Sequence, residues 1–146
     1  MGGWPVFDLA DYLGGHWRLD RGIRDGAGAE LGTFAGTAEV TVEGSVLVYD
    51  ERGTLDVGTY RGPAHRRLRY RITGPGLAEV YFDYGDFFHD LDLREGWWRT
   101  RHPCREDLYR GEFHVHGRHE WEQAWTVAGP TKNYAMTTRL RRAGAP

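Results

Sequence analysis

The sequence predicts an all-β protein that consists of one antiparallel barrel with a short helix at its N-terminal end. Short runs in which apolar and polar residues alternate, such as LRYRI, AEVYFDY and YAMTTRLR, are typical of strands with one buried face. Glycine-containing segments that favour turns, among them DGAG, ERG, RGP, TGPG and HGR, separate these runs. Because closure removes the exposed edges of an antiparallel sheet, we expect a closed or nearly closed barrel of about eight to ten strands.

The N-terminal segment predicts the helix. Asp8 can cap LADYL, from Leu9 to Leu13, and Gly14 and Gly15 end the helix before the first strand. No linker, repeat or change of composition divides the chain, and 146 residues are enough for one core. We therefore expect a single β-barrel domain over residues 1–146.

Composition excludes several classes of partner. The formal net charge is −2, and the basic segment HRRLRYR, residues 65–71, alternates as one solvated strand face does. No apolar run reaches the length of a membrane span, and no signal peptide is visible. The single cysteine, Cys104, rules out an intrachain disulfide and fits a reducing compartment. We predict a cytoplasmic protein without nucleic acid or membrane partners; the oligomeric state stays open, a homodimer included.

The hairpin around HPCREDLYRGEF can be placed in register. A two-residue turn at Arg105 and Glu106 puts His102 opposite Tyr109 and Cys104 opposite Asp107. The same register pairs Thr100 with Gly111 and Trp98 with Phe113, and it leaves the charged side chains on the other face. His102, Cys104, Asp107 and Tyr109 are therefore predicted to point into the barrel.

The next hairpin extends this register. A three-residue loop from Gly117 to His119 pairs Val115 with Trp121 and places Gly111 beneath Trp125, which is good volume complementarity. We therefore predict that Trp121 and Trp125 face inward. His114 and His116 should be exposed to solvent.

One inner row of side chains follows when the register is extended to both sides. A loop over REGW pairs His89 with His102, and a tight turn at Gly85 and Asp86 places Phe82 beside His89. The AGPTKN turn brings Tyr134 next to Val127. The predicted row reads, across neighbouring strands, Phe82, His89, His102, Tyr109, Val127 and Tyr134.

Two segments resemble the closure of calycin, or lipocalin-like, barrels. GHW, residues 15–17, begins the first strand, and TTRLRR supplies Arg139 and Arg141 close to the other end of the chain. In calycin barrels a late arginine stacks on the tryptophan of a Gly-x-Trp strand. The resemblance implies that Trp17 is buried at the barrel base and contacted by Arg139 or Arg141.

A second resemblance runs from about Phe87 to Arg141. FFHDLDL, HPCREDLYRGEF, WTVAGPTKNY and TTRLRR are similar in order and spacing to the bacterial DUF6314 family of unknown function. Asn133 stands where an acidic residue is expected. The resemblance implies a small calycin-like β-barrel and brings no assigned activity.

Two functions remain open on the sequence alone. The first is the binding of a hydrophobic or aromatic small molecule inside the barrel. The second is a cofactor-free isomerase, cyclase or lyase, in which His89 or His102 exchanges a proton and Tyr109 donates a hydrogen bond to an oxyanion, with Asp107 beside them. Because no complete catalytic constellation is visible, binding is favoured. The predicted ligand-binding side chains are Phe82, Trp98, Cys104, Phe113, Trp125 and Tyr134.

The sequence predicts no cofactor and no metal site. His89, His102 and Cys104 are residue types that bind zinc, and an inward histidine can ligate haem, but their spacing is diagnostic of neither. A buried histidine most often only hydrogen-bonds a neighbour, and an apolar environment leaves a cysteine inert. Zinc and haem are therefore minor alternatives.

Overall fold

Alternation of apolar and polar residues produces the strands, because each strand buries every second side chain. The computed structural model describes residues 2–144, which form one helix and ten strands; Met1, Ala145 and Pro146 of the predicted domain lie outside the described residues. The elements are α1 (Leu9–Leu13), β1 (Gly15–Asp25), β2 (Glu30–Glu43), β3 (Val46–Val57), β4 (Tyr60–Gly74), β5 (Leu77–Phe82), β6 (Phe87–Asp92), β7 (Trp97–Cys104), β8 (Asp107–Gly117), β9 (Glu120–Ala128) and β10 (Asn133–Arg142).

The strands form one antiparallel sheet that curls into a nearly closed barrel, as predicted. Strands that follow each other in sequence pair, except at one point, and β1 pairs with β10, so the order is β6-β5-β4-β3-β2-β1-β10-β9-β8-β7. Within residues 2–144 no ladder joins β6 to β7. We call this gap the seam. The predicted pairing of His89 with His102 is therefore wrong.

Two side-chain hydrogen bonds cross the seam in place of a ladder. The indole Nε1 of Trp98 donates to the main-chain carbonyl of Asp90 at 3.1 Å. The hydroxyl of Thr100 donates to the Asp90 carboxylate at 2.7 Å. These contacts hold the two edge strands together without consecutive main-chain bonds.

Helix α1 closes one end of the barrel, and its bounds and cap are those predicted. The Asp8 carboxylate accepts a hydrogen bond from the Asp11 N–H at 3.0 Å, and Leu9, Tyr12 and Leu13 are buried. Trp17 is buried beneath the helix, and its Nε1 donates to the Leu13 carbonyl at 2.8 Å. No helix among the described residues is long and apolar enough to cross a membrane.

The arginine that stacks on Trp17 is Arg142 rather than Arg139 or Arg141. Its guanidinium lies 4.2 Å from the centre of the ring. Arg139 and Arg141 point outward because Leu140 between them points into the core, and alternation along β10 then turns Arg142 inward. The contact predicted at the base exists, one residue further along the strand.

The predicted register of β7, β8 and β9 is confirmed. His102 pairs with Tyr109, Gly111 with Trp125, and Val115 with Trp121. The loop before β9 differs slightly, because a bulge after Val115 lets Gly117 pair with Glu120. Trp121 and Trp125 are buried and His116 is exposed, as predicted, but His114 is half-buried because it lies opposite Trp97.

Two glycine segments interpreted as turns lie inside strands. ERG is part of β3 and RGP is part of β4. Gly53 of the first segment has another role: a Cβ there would lie 2.3 Å from the carbonyl oxygen of Ala35 on the neighbouring strand. This glycine permits a close approach of two backbones rather than a reversal of the chain.

Candidate functional site

The barrel holds an interior cavity of 350 Å³ at the end opposite α1, which we call the open end. This volume lies within the range of about 300–1,000 Å³ that is typical of small-molecule sites. A smaller lobe of 180 Å³ continues past Arg21, Arg66 and Met136. The side chains around the main cavity are Arg21, Arg66, Phe82, Tyr84, Phe88, His102, Cys104, Tyr109, Trp125, Tyr134, Met136 and Thr138.

Stacked rings form one wall of the cavity. Phe88 stacks on Phe82 with ring centres 4.4 Å apart and on Trp125 with centres 4.9 Å apart. Tyr84 stacks on Phe82 at the mouth of the barrel, where 75% of its surface is exposed. The position of Trp125 depends on Gly111 across the ladder, since a Cβ at Gly111 would lie 2.7 Å from the indole. The wall offers flat apolar faces to a ligand.

A polar group adjoins this wall near the open end. His102 lies opposite Tyr109, with ring centres 6.0 Å apart, and edge-on to Phe88 at 5.4 Å. Tyr134 lies across the same row, and burial, together with the neighbouring Tyr109, raises the pKa of its hydroxyl. The Tyr134 hydroxyl is therefore a neutral donor at pH 7 that can orient a ligand.

His89 does not lie on the cavity wall. The turn after β5 is longer than predicted, with the Phe82 N–H bonded to the Asp86 carbonyl at 2.9 Å, and Phe88 forms a bulge in β6. His89 therefore pairs with Val80 rather than lying beside Phe82. Its ring packs against Trp125 from outside the cavity, with centres 5.2 Å apart.

The predicted site residues divide into two groups. Phe82, His102, Cys104, Tyr109, Trp125 and Tyr134 line the cavity together. His89 and Phe113 belong to the core, Trp98 lies at the seam, and Asp107 forms an ion pair with Lys132 at 3.6 Å near the open end.

The histidines and the cysteine do not converge on a metal position. Within residues 2–144 no group of three His, Cys, Asp or Glu side chains is arranged to hold a metal ion. His89 also directs its Nδ1 to the Asp90 carbonyl at 2.7 Å, which fixes the ring behind Trp125. The zinc alternative with His89, His102 and Cys104 as ligands has no geometric support.

A buried ionic cluster, absent from the sequence prediction, lies between the two lobes of the cavity. The Glu51 carboxylate, only 1% exposed, accepts two hydrogen bonds from Arg21, at 2.7 and 3.1 Å, and one from Tyr49 at 2.6 Å. Arg66, its partner across the β3–β4 ladder, donates a longer bond of 3.3 Å. Arg21 also donates from Nε to Thr138 at 2.7 Å. We call Arg21, Glu51 and Arg66 the arginine–glutamate cluster.

Electrostatics keep Glu51 and Arg66 charged. Burial by itself raises the pKa of Glu51, but Arg66 and Arg21 outweigh it and lower the pKa to about 2. Burial opposes the charge of Arg66 too, yet the Glu51 carboxylate raises its pKa. Two guanidinium groups and one carboxylate therefore leave a net charge of +1 beside the cavity.

Strand parity is the signal that would have identified these residues. Arg66 was included in a solvated face because HRRLRYR is rich in arginine, but it shares the inward positions of Leu68 and Tyr70. Glu51 follows Tyr49 by two residues in the same way. Charged residues on the apolar phase of an alternating segment indicate a polar site inside the barrel.

A larger concave surface of 510 Å³ lies on the outside of β7, β8 and β9. Arg99, Arg101 and Arg110 border it, and no aromatic side chain is among its described lining residues. It is open to solvent and offers no ring on which a ligand could stack. The interior cavity is therefore the better candidate for a small-molecule site.

Fold and cavity together define the class: a small antiparallel β-barrel with an interior pocket that combines stacked aromatic rings and a cationic cluster. Residues 13–142 match the family model of a "Family of unknown function (DUF6314)", and the chain belongs to this family. The family expected from the sequence is thus confirmed. No curated protein matches the sequence.

Solved structures of similar fold share little sequence with this chain. An S-type phycobiliprotein lyase from Guillardia theta is 8% identical with a TM-score of 0.69, and the match covers 94% of this chain and 92% of that one. A protein of unknown function of the DUF3598 family from Nostoc punctiforme is 12% identical with a TM-score of 0.60, over 96% of this chain and 51% of that one. A de novo designed fluorescence-activating β-barrel is 14% identical with a TM-score of 0.52, over 92% and 97%. At these identities the likeness is one of fold.

Proposed function

We propose that this protein binds a hydrophobic, aromatic small molecule in the interior cavity. The observation that carries the proposal is the 350 Å³ cavity walled by the stacked rings of Phe82, Phe88 and Trp125. Flat apolar walls beside a few polar groups are the usual composition of a small-molecule site. The chain shares its fold with a designed barrel that is described as fluorescence-activating, and this likeness of fold supports the proposal.

The polar groups of the wall give the bound molecule an orientation. His102, Tyr109 and Tyr134 present a ring nitrogen and two hydroxyls to one side of the cavity. In the catalytic alternative a histidine must reach the ligand, and His89 packs behind Trp125 with its Nδ1 engaged by a main-chain carbonyl. Only His102 of the two predicted acid–base residues lies on the wall, so binding is the function that the geometry supports best. We place this binding in the cytoplasm, since a single thiol fits a reducing compartment.

A cavity-filling variant tests the proposal. Met136 lies between the two lobes, whereas Thr137, the next residue, is exposed on the outer face of the same strand. We expect the neutral fluorophore N-phenyl-1-naphthylamine to bind the parent and the Thr137→Trp variant. Met136→Trp should abolish binding, because its indole fills the space that the fluorophore needs.

Fluorescence titration measures the binding, and circular dichroism checks that each variant is folded. The proposal fails if the parent does not bind the fluorophore. It also fails if folded Met136→Trp binds as tightly as the parent, because the ligand would then lie elsewhere.

A further inference from the structure

We propose that the natural ligand carries a carboxylate, and that Arg66 binds this group while the aromatic wall binds the rest of the molecule. The inference rests on the proposed function and narrows it to aromatic or conjugated monoanions. It follows from the arrangement of the arginine–glutamate cluster and from the free donors of Arg66.

Glu51 is already neutralised by Arg21 alone. Two parallel hydrogen bonds, Nη1 to Oε1 at 3.1 Å and Nη2 to Oε2 at 2.7 Å, join the guanidinium and the carboxylate in a bidentate pair. The third nitrogen of the guanidinium, Nε, donates to the Thr138 hydroxyl at 2.7 Å. Only 12% of the Arg21 side chain remains exposed. Arg21 therefore has a structural partner for its charge.

Arg66 is the surplus cation. Its bond to Glu51 is the longest of the cluster at 3.3 Å, and its Nε is buried without a hydrogen-bond partner among the described residues. The side chain keeps 39% of its surface accessible and borders both lobes of the cavity. A charge that is partly removed from water and lacks a full counterion is costly, and an anion in the cavity would supply both the charge and the acceptor that Nε lacks.

The shape of the site favours a carboxylate on a planar molecule. A guanidinium presents its donors in a plane and matches the two oxygens of a carboxylate. The stacked rings of Phe82, Phe88 and Trp125 border the same cavity and take a flat apolar body. Thus one end of the ligand would meet the cation and the other would meet the aromatic wall.

Paired probes of equal shape test the inference. 2-Naphthoate and 2-naphthamide share one ring system, and at pH 7 they differ by one negative charge. We expect the parent to bind the naphthoate about tenfold more tightly than the amide, as one charge-assisted contact implies. Isothermal titration calorimetry gives both dissociation constants.

Three variants test whether Arg66 causes the preference for the naphthoate. Arg66→Gln should bring the two dissociation constants to within about twofold. Arg66→Lys keeps the charge but loses the planar pair of donors, so it should prefer the naphthoate less strongly than the parent does. Arg67→Gln is the matched control, because Arg67 lies on the outer face and pairs with Asp50 at 3.0 Å. Arg67→Gln should prefer the naphthoate to the amide as strongly as the parent does.

The outcomes separate this inference from the proposed function. If N-phenyl-1-naphthylamine binds but the parent does not prefer the naphthoate to the amide, the carboxylate inference is wrong and binding stands. The carboxylate inference is also wrong if a folded Arg66→Gln variant still prefers the naphthoate to the amide. If Arg66→Gln does not fold, two other results decide. The parent must bind the naphthoate more tightly than the amide, and this preference must be weaker in Arg66→Lys. If the parent does not bind N-phenyl-1-naphthylamine, the proposed function itself fails, whatever the result with the naphthoate.

Discussion

His89 shows how burial controls a titratable group in this barrel. The ring is 2% exposed among Phe88, Phe113 and Trp125, and burial lowers its pKa to about 4 from the ordinary 6.5. Its Nδ1 faces the Asp90 carbonyl at 2.7 Å, which assigns the neutral Nδ1–H tautomer as the donor. At neutral pH the ring therefore acts as a core side chain with one satisfied donor.

This lowered pKa predicts a loss of stability in mild acid. The unfolded chain takes up a proton at His89 below about pH 6.5 and the folded chain only near pH 4, so the free energy of unfolding falls as the pH drops between these values. We expect His89 to account for about 2 kcal/mol of loss between pH 7 and pH 5. Urea unfolding at both pH values measures it.

Variants assign the effect to this ring. Between pH 7 and pH 5 the free energy of unfolding of His89→Gln should fall by about 2 kcal/mol less than that of the parent, whatever the stability of the variant at pH 7. His119→Gln, at an exposed position, should follow the parent. An unchanged pH dependence in His89→Gln would show that another group is responsible.

The arginines on the two faces of strand β10 have different roles. Arg139 and Arg141 form ion pairs on the outer face, the second with Glu120 at 3.4 Å. Arg142 lies over Trp17 and donates to the main-chain carbonyls of Tyr12 and Gly14 at 2.6 and 3.2 Å. Since these carbonyls belong to the last turn of α1 and to the glycine that caps it, Arg142 holds the helix against the barrel.

Replacing Arg142 should therefore destabilise the closed end. We expect Arg142→Met to lower the free energy of unfolding by about 2 kcal/mol, because it removes a stacked cation and leaves carbonyls of α1 without a donor. Arg141→Met should change it by less than about 0.5 kcal/mol, as exposed ion pairs contribute little. Denaturant unfolding compares the two, and an equal effect of both variants would contradict this role of Arg142.

The barrel as a whole has one weak line, the seam between β6 and β7. Elsewhere neighbouring strands are joined by main-chain ladders, such as the nine register pairs between β1 and β10. At the seam the described contacts are the two bonds to Asp90 and side-chain packing. Local opening should start where main-chain bonds are fewest.

Hydrogen exchange can detect local opening at the seam. We expect the amides of β6 and β7 that face the seam to exchange faster than the amides of the β1–β10 ladder. Two-dimensional NMR after transfer into D₂O resolves the individual sites. Equal protection on both sides of the barrel would mean that the seam is closed in solution.

Much of the candidate site follows from local sequence patterns. The His102–Tyr109 and Gly111–Trp125 pairs were predicted correctly because a short turn and a two-residue period fix the register of adjacent strands. His89 was misplaced because a longer turn and the Phe88 bulge changed the count of residues between β5 and β6. The partner of His89 changes by two residues, from Phe82 to Val80, which moves the ring away from the cavity wall.

The sequence by itself determined the all-β class, the capped helix from Leu9 to Leu13 and the register of consecutive hairpins, since each depends on residues close together in the chain. Only the tertiary structure decided the seam, the stacking of Arg142 on Trp17 and the arginine–glutamate cluster. Arg21 meets Glu51 across an intervening strand, after the sheet has curled. Such contacts depend on closure and on the volume left inside the barrel, which no local pattern encodes.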